Sequence, residues 1–479
     1  MSVIGASRQR SSAMSISTWA TGLLLIGTIA LTFAAQRGNG RLLLNSCIVL
    51  CAIVVAAGIA WALPPDRATV PTLFRRSPLA AGRLLSQLSP VIFLSVTYPL
   101  AAGRMSTVDI GGLAFPKLIL ATSVTAPWLG QIVCMPIFSA LSPHAAEGDS
   151  RQLCVRALEA WPWTFAAALP VLAVLAVPVW LTERWRLSAA FVYAALCLLN
   201  AAFAQSLVYS VIRRHSVLWL AGWAAYAVAL LVMPQMWFLP PVAGLLVQLV
   251  YLASRTRFSE LHFFKPAHIS ADLAKGAVLG CLLWSDKYLY FLRFPSRFNA
   301  ALLFGAMVPA IVAYNFYFAM LAPRTDGLVK SVRRAMDVAS ISRLRRECDT
   351  LSSHIRGSAS QVGLLCALIS LMALSIVVVV APYDRLAAGC EILACWCFVM
   401  GSVACYKLAY IGQTRLAYGY GALHLFLASA AFAISPSGPY AYLTLAAIEL
   451  LLVPHILRSC MRDWDQPEFM LFWRHALRW

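Results

Sequence analysis

The chain has 479 residues, 61% of them hydrophobic and only 12% charged, with 38 Lys and Arg against 19 Asp and Glu for a formal net charge of +19. Soluble domains carry roughly a quarter charged residues, so the composition excludes a water-soluble globular protein and leaves no stretch for a soluble domain of useful size. The surplus of base reads as membrane topology, with attraction to anionic lipid second; no nucleic-acid partner is expected.

Apolar runs able to cross about 30 Å of hydrocarbon as helices fall at 17–35, 42–63, 81–103, 110–141, 159–181, 187–209, 216–234 and 237–253. They resume at 271–292, 298–322, 359–381, 387–409, 414–434 and 437–458. The pattern predicts an all-α polytopic membrane protein of about fourteen transmembrane helices. The first run follows Arg8 and Arg10 and ends in Thr32-Phe33-Ala34-Ala35, as a secretory signal does. Its apolar stretch exceeds the roughly 7 to 15 residues of a signal core, and an uncleaved anchor is expected. Most cysteines lie inside spans, among them Cys47, Cys51, Cys197, Cys281, Cys366 and Cys405, where they serve as small apolar fillers. Cys395-Trp396-Cys397 has no histidine or second cysteine pair at zinc spacing, so no metal is expected.

Fourteen crossings place both termini on one side, which holds 28 of the Lys and Arg residues. The other side holds 8 (Arg37, Arg41, Arg104, Arg184, Arg186, Arg293, Arg297 and Arg385), with Lys117 and Lys287 inside spans. Base is retained on the cytoplasmic side, so the expectation is a multi-pass protein of a bacterial inner membrane with both termini cytoplasmic. The outward connections are short, and whatever the protein does, it does within the bilayer.

The fourth run ends Phe138-Ser139-Ala140-Leu141-Ser142-Pro143 and the tenth ends Phe318-Ala319-Met320-Leu321-Ala322-Pro323, one pattern repeated at an offset of 180 residues. The expected organisation is a two-helix segment over 1–80, a six-helix lobe over 81–258, a second over 259–458 and a cytoplasmic tail over 459–479. The repeat is parallel rather than inverted, an arrangement that transporters use to alternate access. Between the tenth and eleventh runs, Val338, Ile341, Leu344, Cys348, Leu351 and Ile355 recur every three or four residues. That stripe predicts one amphipathic cytoplasmic helix over 324–356, lying on anionic lipid or, alternatively, docking a cytoplasmic glycosyltransferase or regulator.

Ionisable groups deep in spans cost about 2.5 to 3.5 kcal/mol on insertion scales and face a cavity or a partner. Asp286 and Lys287 sit on the order of 20 Å from the cytoplasmic end of their span, among Trp284, Tyr288, Tyr290 and Phe291. Aromatic faces suit sugar rings or cations, and Trp284, Asp286, Lys287 and Tyr288 are candidate path-lining residues. The bland alternative has Lys287 snorkelling to the outer interface while Asp286 pairs with a neighbouring basic residue, a purely structural arrangement. Lys117 follows Pro116, with Pro127 and Pro136 beyond it, so it joins the candidates on a helix expected to be kinked and partly unwound. His424 and Glu449 lie at similar depth either side of a tight turn near Pro436; they are either a proton relay or a structural hydrogen bond.

No Walker loop, dinucleotide turn, zinc-spaced set or nucleophile elbow is present, so neither a cofactor nor enzymatic activity is expected. One segment carries a family resemblance: Gly276-Ala-Val-Leu-Gly280, Leu283-Trp284-Ser285-Asp286-Lys287-Tyr288 and Val308-Pro309-Ala310, followed by a long charged helix. It resembles the multidrug, oligosaccharidyl-lipid and polysaccharide flippase superfamily, and within it the Pel-type exopolysaccharide exporter membrane proteins. The resemblance implies two six-helix lobes and export of a polysaccharide or lipid-linked glycan by alternating access. Its implied partners are the glycan, membrane lipids, a cytoplasmic glycosyltransferase and other inner-membrane synthase subunits. A membrane-embedded enzyme, a scaffold subunit of a synthase complex and a MATE-like small-molecule transporter are the alternatives. The helices over 17–63 lie outside the twelve-helix core so implied, and Tyr317-Phe318-Ala319-Met320 lacks the acidic residues the family carries there.

Overall fold

The computed structural model describes residues 78–145, 150–256, 268–380 and 385–473. The two runs before residue 64 therefore lie outside the described residues, as do Arg8, Arg10, Cys47 and Cys51 and both termini. Helix dominates the remainder: α1 Pro78–Met105, α2 Phe115–Ala145, α3 Ser150–Ala166, α4 Ala168–Glu183, α5 Leu187–Ile212, α6 Ser216–Val232 and α7 Leu239–Ser254. There follow α8 Ile269–Arg293, α9 Ala300–Phe316, α10 Ala322–Val338, α11 Ile341–Val380, α12 Arg385–Tyr410, α13 Thr414–Ile434 and α14 Gly438–Asp463. Each apolar run from 81 to 458 lies mostly on helix, and the chain is an all-α polytopic membrane protein. Among the described residues nine helical stretches are long and apolar enough to cross a membrane, and α6 and α7 are shorter apolar helices. α8 is absent from that set: its 25 residues are length enough, but Asp272, Lys275, Asp286, Lys287 and Arg293 interrupt it.

Departures from expectation have local causes. The run at 159–181 is two helices, broken at Ala167, because Pro170 offers no N–H to the Ala166 carbonyl and its ring crowds it; α3 ends at Ala166 and α4 begins at Ala168. The run at 110–141 starts with a hairpin, Asp109–Ile110 paired antiparallel with Leu113–Ala114. Its turn needs Gly111 and Gly112 at φ of 64° and 84°, a region closed to most side chains. Asp109 Oδ1 accepts from the Gly112 N–H at 2.7 Å.

The described residues divide into two compact units, one over Ser89–Ala300 and the other from Ala301 onward together with Pro78–Leu88. In the first, α2 is the centre, flanked by α3, α4, α5 and α8, while α6 and α7 pair with each other and α7 lies on α5. α8, which the repeat assigns to the second half, thus packs within the unit of the first. The second unit is built on α12, flanked by α11, α13 and α14.

In that second unit α9 continues into α10 through a π turn, Tyr317–Leu321, so one helical rod runs from Ala300 to Val338. The second copy of the repeated pattern lies across this turn, whereas the first lies in regular α-helix at the end of α2. The segment expected as one amphipathic helix is an antiparallel pair, α10 and the first half of α11, separated at Ala339 and Ser340. Its apolar stripe is a seam between the two: Val329, Val332 and Ala335 on α10 and Cys348, Leu351 and Ile355 on α11 are all buried. Periodicity identified an apolar face but not what covers it, and here the cover is protein instead of lipid.

Candidate functional site

The deepest charges rest on the approach of α8 to α2. A Cβ at Gly276 would stand 2.7 Å from the Ile132 Cα and 2.8 Å from the Gln131 and Ile132 carbonyl oxygens; at Gly280 it would meet the Trp128 ring at 2.9 Å. Two glycines four apart therefore let the backbones touch, as small residues do in helix pairs within lipid. Pro136 withholds the N–H that would otherwise serve the Ile132 carbonyl, and Gly276 closes on that carbonyl. α2 nevertheless stays wound through Pro127, Pro136 and Pro143. The expected unwinding is corrected: each proline removes one intrahelical bond, and packing retains the rest.

This contact sets the side chains beyond it. The Trp128 indole N–H donates to the Ala277 carbonyl at 3.1 Å, the Trp284 N–H to Gln131 Oε1 at 3.3 Å and the Tyr288 hydroxyl to the Leu175 carbonyl at 2.6 Å. Trp128 meets the Tyr288 ring edge-on at 5.7 Å. Asp286 and Lys287 are 0% and 1% exposed, and the Lys287 ammonium straddles the Asp286 carboxylate, 2.9 Å from Oδ1 and 2.8 Å from Oδ2. Only the Oδ1 contact has hydrogen-bond geometry. Lys287 does not snorkel. Neighbours in sequence point about 100° apart on a helix, so the lysine stem curls back to its partner, and the pair is neutral as a unit.

Lys117 stands apart from this group. α2 begins at Phe115, so Lys117 lies in its first turn, 42% exposed, and ion-pairs with the buried Glu183 at the end of α4.

In the other unit His424 and Glu449 meet, both fully buried, with His424 Nδ1 2.7 Å from Glu449 Oε1. A carboxylate at Nδ1 favours the tautomer with its proton there, and Nε2 has no hydrogen-bond partner among the described residues. A third member went unread in the sequence: the Tyr420 hydroxyl donates to Glu449 Oε2 at 2.6 Å. Tyr420 lies one turn before His424 on the same face of α13, a spacing that could have suggested it. Gly401 makes room, since a Cβ there would stand 2.6 Å from the Tyr420 hydroxyl, and Phe398 meets the His424 ring edge-on at 5.0 Å.

Lys407 also went unread, because base near a helix end looks like topology. It is 2% exposed and donates to the Ile355 carbonyl at 2.8 Å and to the Ser358 hydroxyl, with the Tyr317 ring 5.6 Å away. Cys395 and Cys397 are buried and form no disulfide, and among the described residues no group of three or more His, Cys, Asp or Glu could hold a metal ion.

No family model and no curated protein matches the chain. Among solved structures it is similar to an outward-facing multidrug resistance MATE family transporter of the MOP superfamily, at 9% identity and a TM-score of 0.45, covering 81% of this chain and 96% of that one. It is similar also to the Vibrio cholerae MATE transporter VcmN in the bent form, at 10% identity and 0.42 over 95% and 100%. A MOP superfamily transporter from Pyrococcus furiosus matches at 11% and 0.38 over 88% and 98%.

Proposed function

We propose that the protein moves a polysaccharide or lipid-linked glycan out across a bacterial inner membrane by alternating access, without enzymatic chemistry of its own. The carrying observation is α8, a helix long enough to span yet charged, whose Asp286 and Lys287 are wholly buried and neutralise each other beside Trp284 and Tyr288. A charge pair at this depth is expensive to keep and marks a polar path or a fixed partner. Indole and phenol faces with amide groups such as Gln131 suit a hydroxyl-rich solute. Lys117, ion-paired with Glu183 apart from this group, is a further candidate lining residue, and the Tyr420–Glu449–His424 triad is the proton relay that drives transport.

Deleting the gene in its native host and measuring extracellular polysaccharide tests the reading, with complementation by wild type and by Asp286→Asn, which keeps an oxygen facing Lys287 but removes the charge. The expected result is loss of secreted polymer, restored by wild type and not by Asp286→Asn at equal protein level. Unchanged polymer in the deletion strain would refute glycan export and favour small-molecule transport. Transport indifferent to both His424→Ala and Glu449→Gln would remove the relay.

A further inference from the structure

The hairpin of α10 and α11 has geometry that no path for solute requires. α11 is unbroken from Ile341 to Val380, contains no proline, and is apolar only from Val362 onward. Its polar half, Ile341 to Gln361, therefore continues the membrane axis for about 31 Å at 1.5 Å per residue. A helix that runs unbroken out of its crossing half leads its polar half away from the bilayer. α10 runs about 24 Å beyond Pro323 and packs along it, closed by the buried seam described above and by the Ser331 hydroxyl donating to Glu347 at 2.9 Å.

The base of this hairpin is clamped. Ser352 donates to the Trp464 carbonyl at 2.7 Å, Arg356 pairs with Asp465, Lys407 holds Ile355 and Ser358, and His354 Nε2 is 3.3 Å from the Leu321 carbonyl. Trp464 is 1% exposed and its indole N–H donates to the Lys407 carbonyl at 3.3 Å. A hairpin so braced stands as a rigid stalk.

Its tip, over 333–346, carries Arg333, Arg334, Arg343, Arg345 and Arg346 against the single acid Asp337. All five arginines are exposed, and among the described residues none of them makes an ion pair. Ile341, at the turn between the helices, is 85% exposed. The tip stands some 25 Å from the hydrocarbon edge even with a 20° tilt. The headgroup layer adds only about 5 to 8 Å per side and charges are screened over ~8 Å, so lipid is out of reach of the tip. Exposed arginines on both sides of an exposed apolar residue have the composition of a protein interface anchor.

We infer that this stalk docks a soluble protein through an acidic face with an apolar seat for Ile341. The inference rests on the basic asymmetry that puts this end in the cytoplasm and is independent of whether the solute is a glycan.

The test places the photo-crosslinking residue p-benzoylphenylalanine at Ile341 of the full-length protein in its native host. The same residue at Phe426, an exposed apolar position on α13, serves as the lipid-facing control. The expected result is a single soluble acidic polypeptide attached at position 341 and not at 426. Its yield should fall at least tenfold with Arg343→Glu, Arg345→Glu and Arg346→Glu combined, and recover when acids on the captured face are changed to Lys. If that triple variant lowers protein level, the alanine triple replaces it. Adducts only with lipid, no adduct at 341, or an adduct indifferent to the arginines would overturn the inference. So would quenching of a nitroxide at position 341 by a nickel-chelating lipid in phosphatidylglycerol vesicles, which would show the stalk lying on the bilayer.

Discussion

Replacing Asp286 by Leu leaves the Lys287 ammonium buried, with its carboxylate partner at 2.8–2.9 Å removed. Breaking a buried pair from one side is destabilising by about 3–5 kcal/mol, whereas replacing both partners with apolar residues of similar volume is neutral or stabilising by up to about 4 kcal/mol. The double variant Asp286→Leu/Lys287→Met should therefore lose little, so that the coupling energy approaches the sum of the two single losses, about 6–10 kcal/mol. Thermal unfolding midpoints of the four purified proteins in one detergent give the cycle. Single losses that simply add within about 0.5 kcal/mol would refute the ion pair. Export by the same four separates role from stability: a double variant that folds but does not export places the charges in contact with solute, and one that folds and exports makes them structural.

Gly276→Ala puts a methyl 2.7–2.8 Å from three α2 backbone atoms, which cannot yield as a side chain would. A loss of about 1–3 kcal/mol is expected and a neutral result for Gly103→Ala, where nothing lies within 4 Å; equal midpoints for the two would sink the close-approach reading. Gly401→Ala should displace Tyr420 from Glu449, and Tyr420→Phe should leave a buried carboxylate oxygen short of a donor at about 1–3 kcal/mol, with Gly401→Ala adding little once Tyr420→Phe is in place. Trp464→Ala should lose about 3–5 kcal/mol and, by hydrogen exchange, deprotect amides 341–356 ahead of those in α12. Uniform deprotection would mean that the stalk is not clamped there.

What was legible followed from length and apolarity, because a backbone in lipid must satisfy itself within one helix and so announces each span by composition. Ends were less legible. α10 and the first half of α11 continue in polar residues because intrahelical bonding does not stop at the hydrocarbon edge, and the α3/α4 break depends on one proline. Asp286, Lys287, His424 and Glu449 stood out because charges are rare in spans, and matching depth paired His424 with Glu449, but that Lys287 turns back onto Asp286 was not read. Tyr420 and Lys407 were not, since a tyrosine is ordinary in a membrane helix and a lysine near a helix end is what topology supplies. Lys117 was placed in mid-span only because the hairpin before Phe115 is itself apolar.

Burial and apolarity are sorted here in the sense opposite to a soluble protein, and this bears on what α8 is for. The most apolar stretches, Ser150–Glu183 and Ile341–Val378, are also among the least buried. Large side chains stand fully out, Val174 at 72% and Leu451 at 79%, as they do when the surrounding solvent is hydrocarbon. α8 fails the apolarity requirement but buries its second half almost completely, from Leu279 through Phe291. A charged helix is tolerated at membrane depth only where protein or a water-filled path covers its polar side. Gly276 and Gly280 bring the α2 backbone close enough to provide that cover on one side. Those glycines act before the charges in any causal order. Widening the α2–α8 contact would uncover Asp286 and Lys287, so Gly276→Ala should impair export at levels where the protein still folds, and normal export with a lowered midpoint would detach the contact from function.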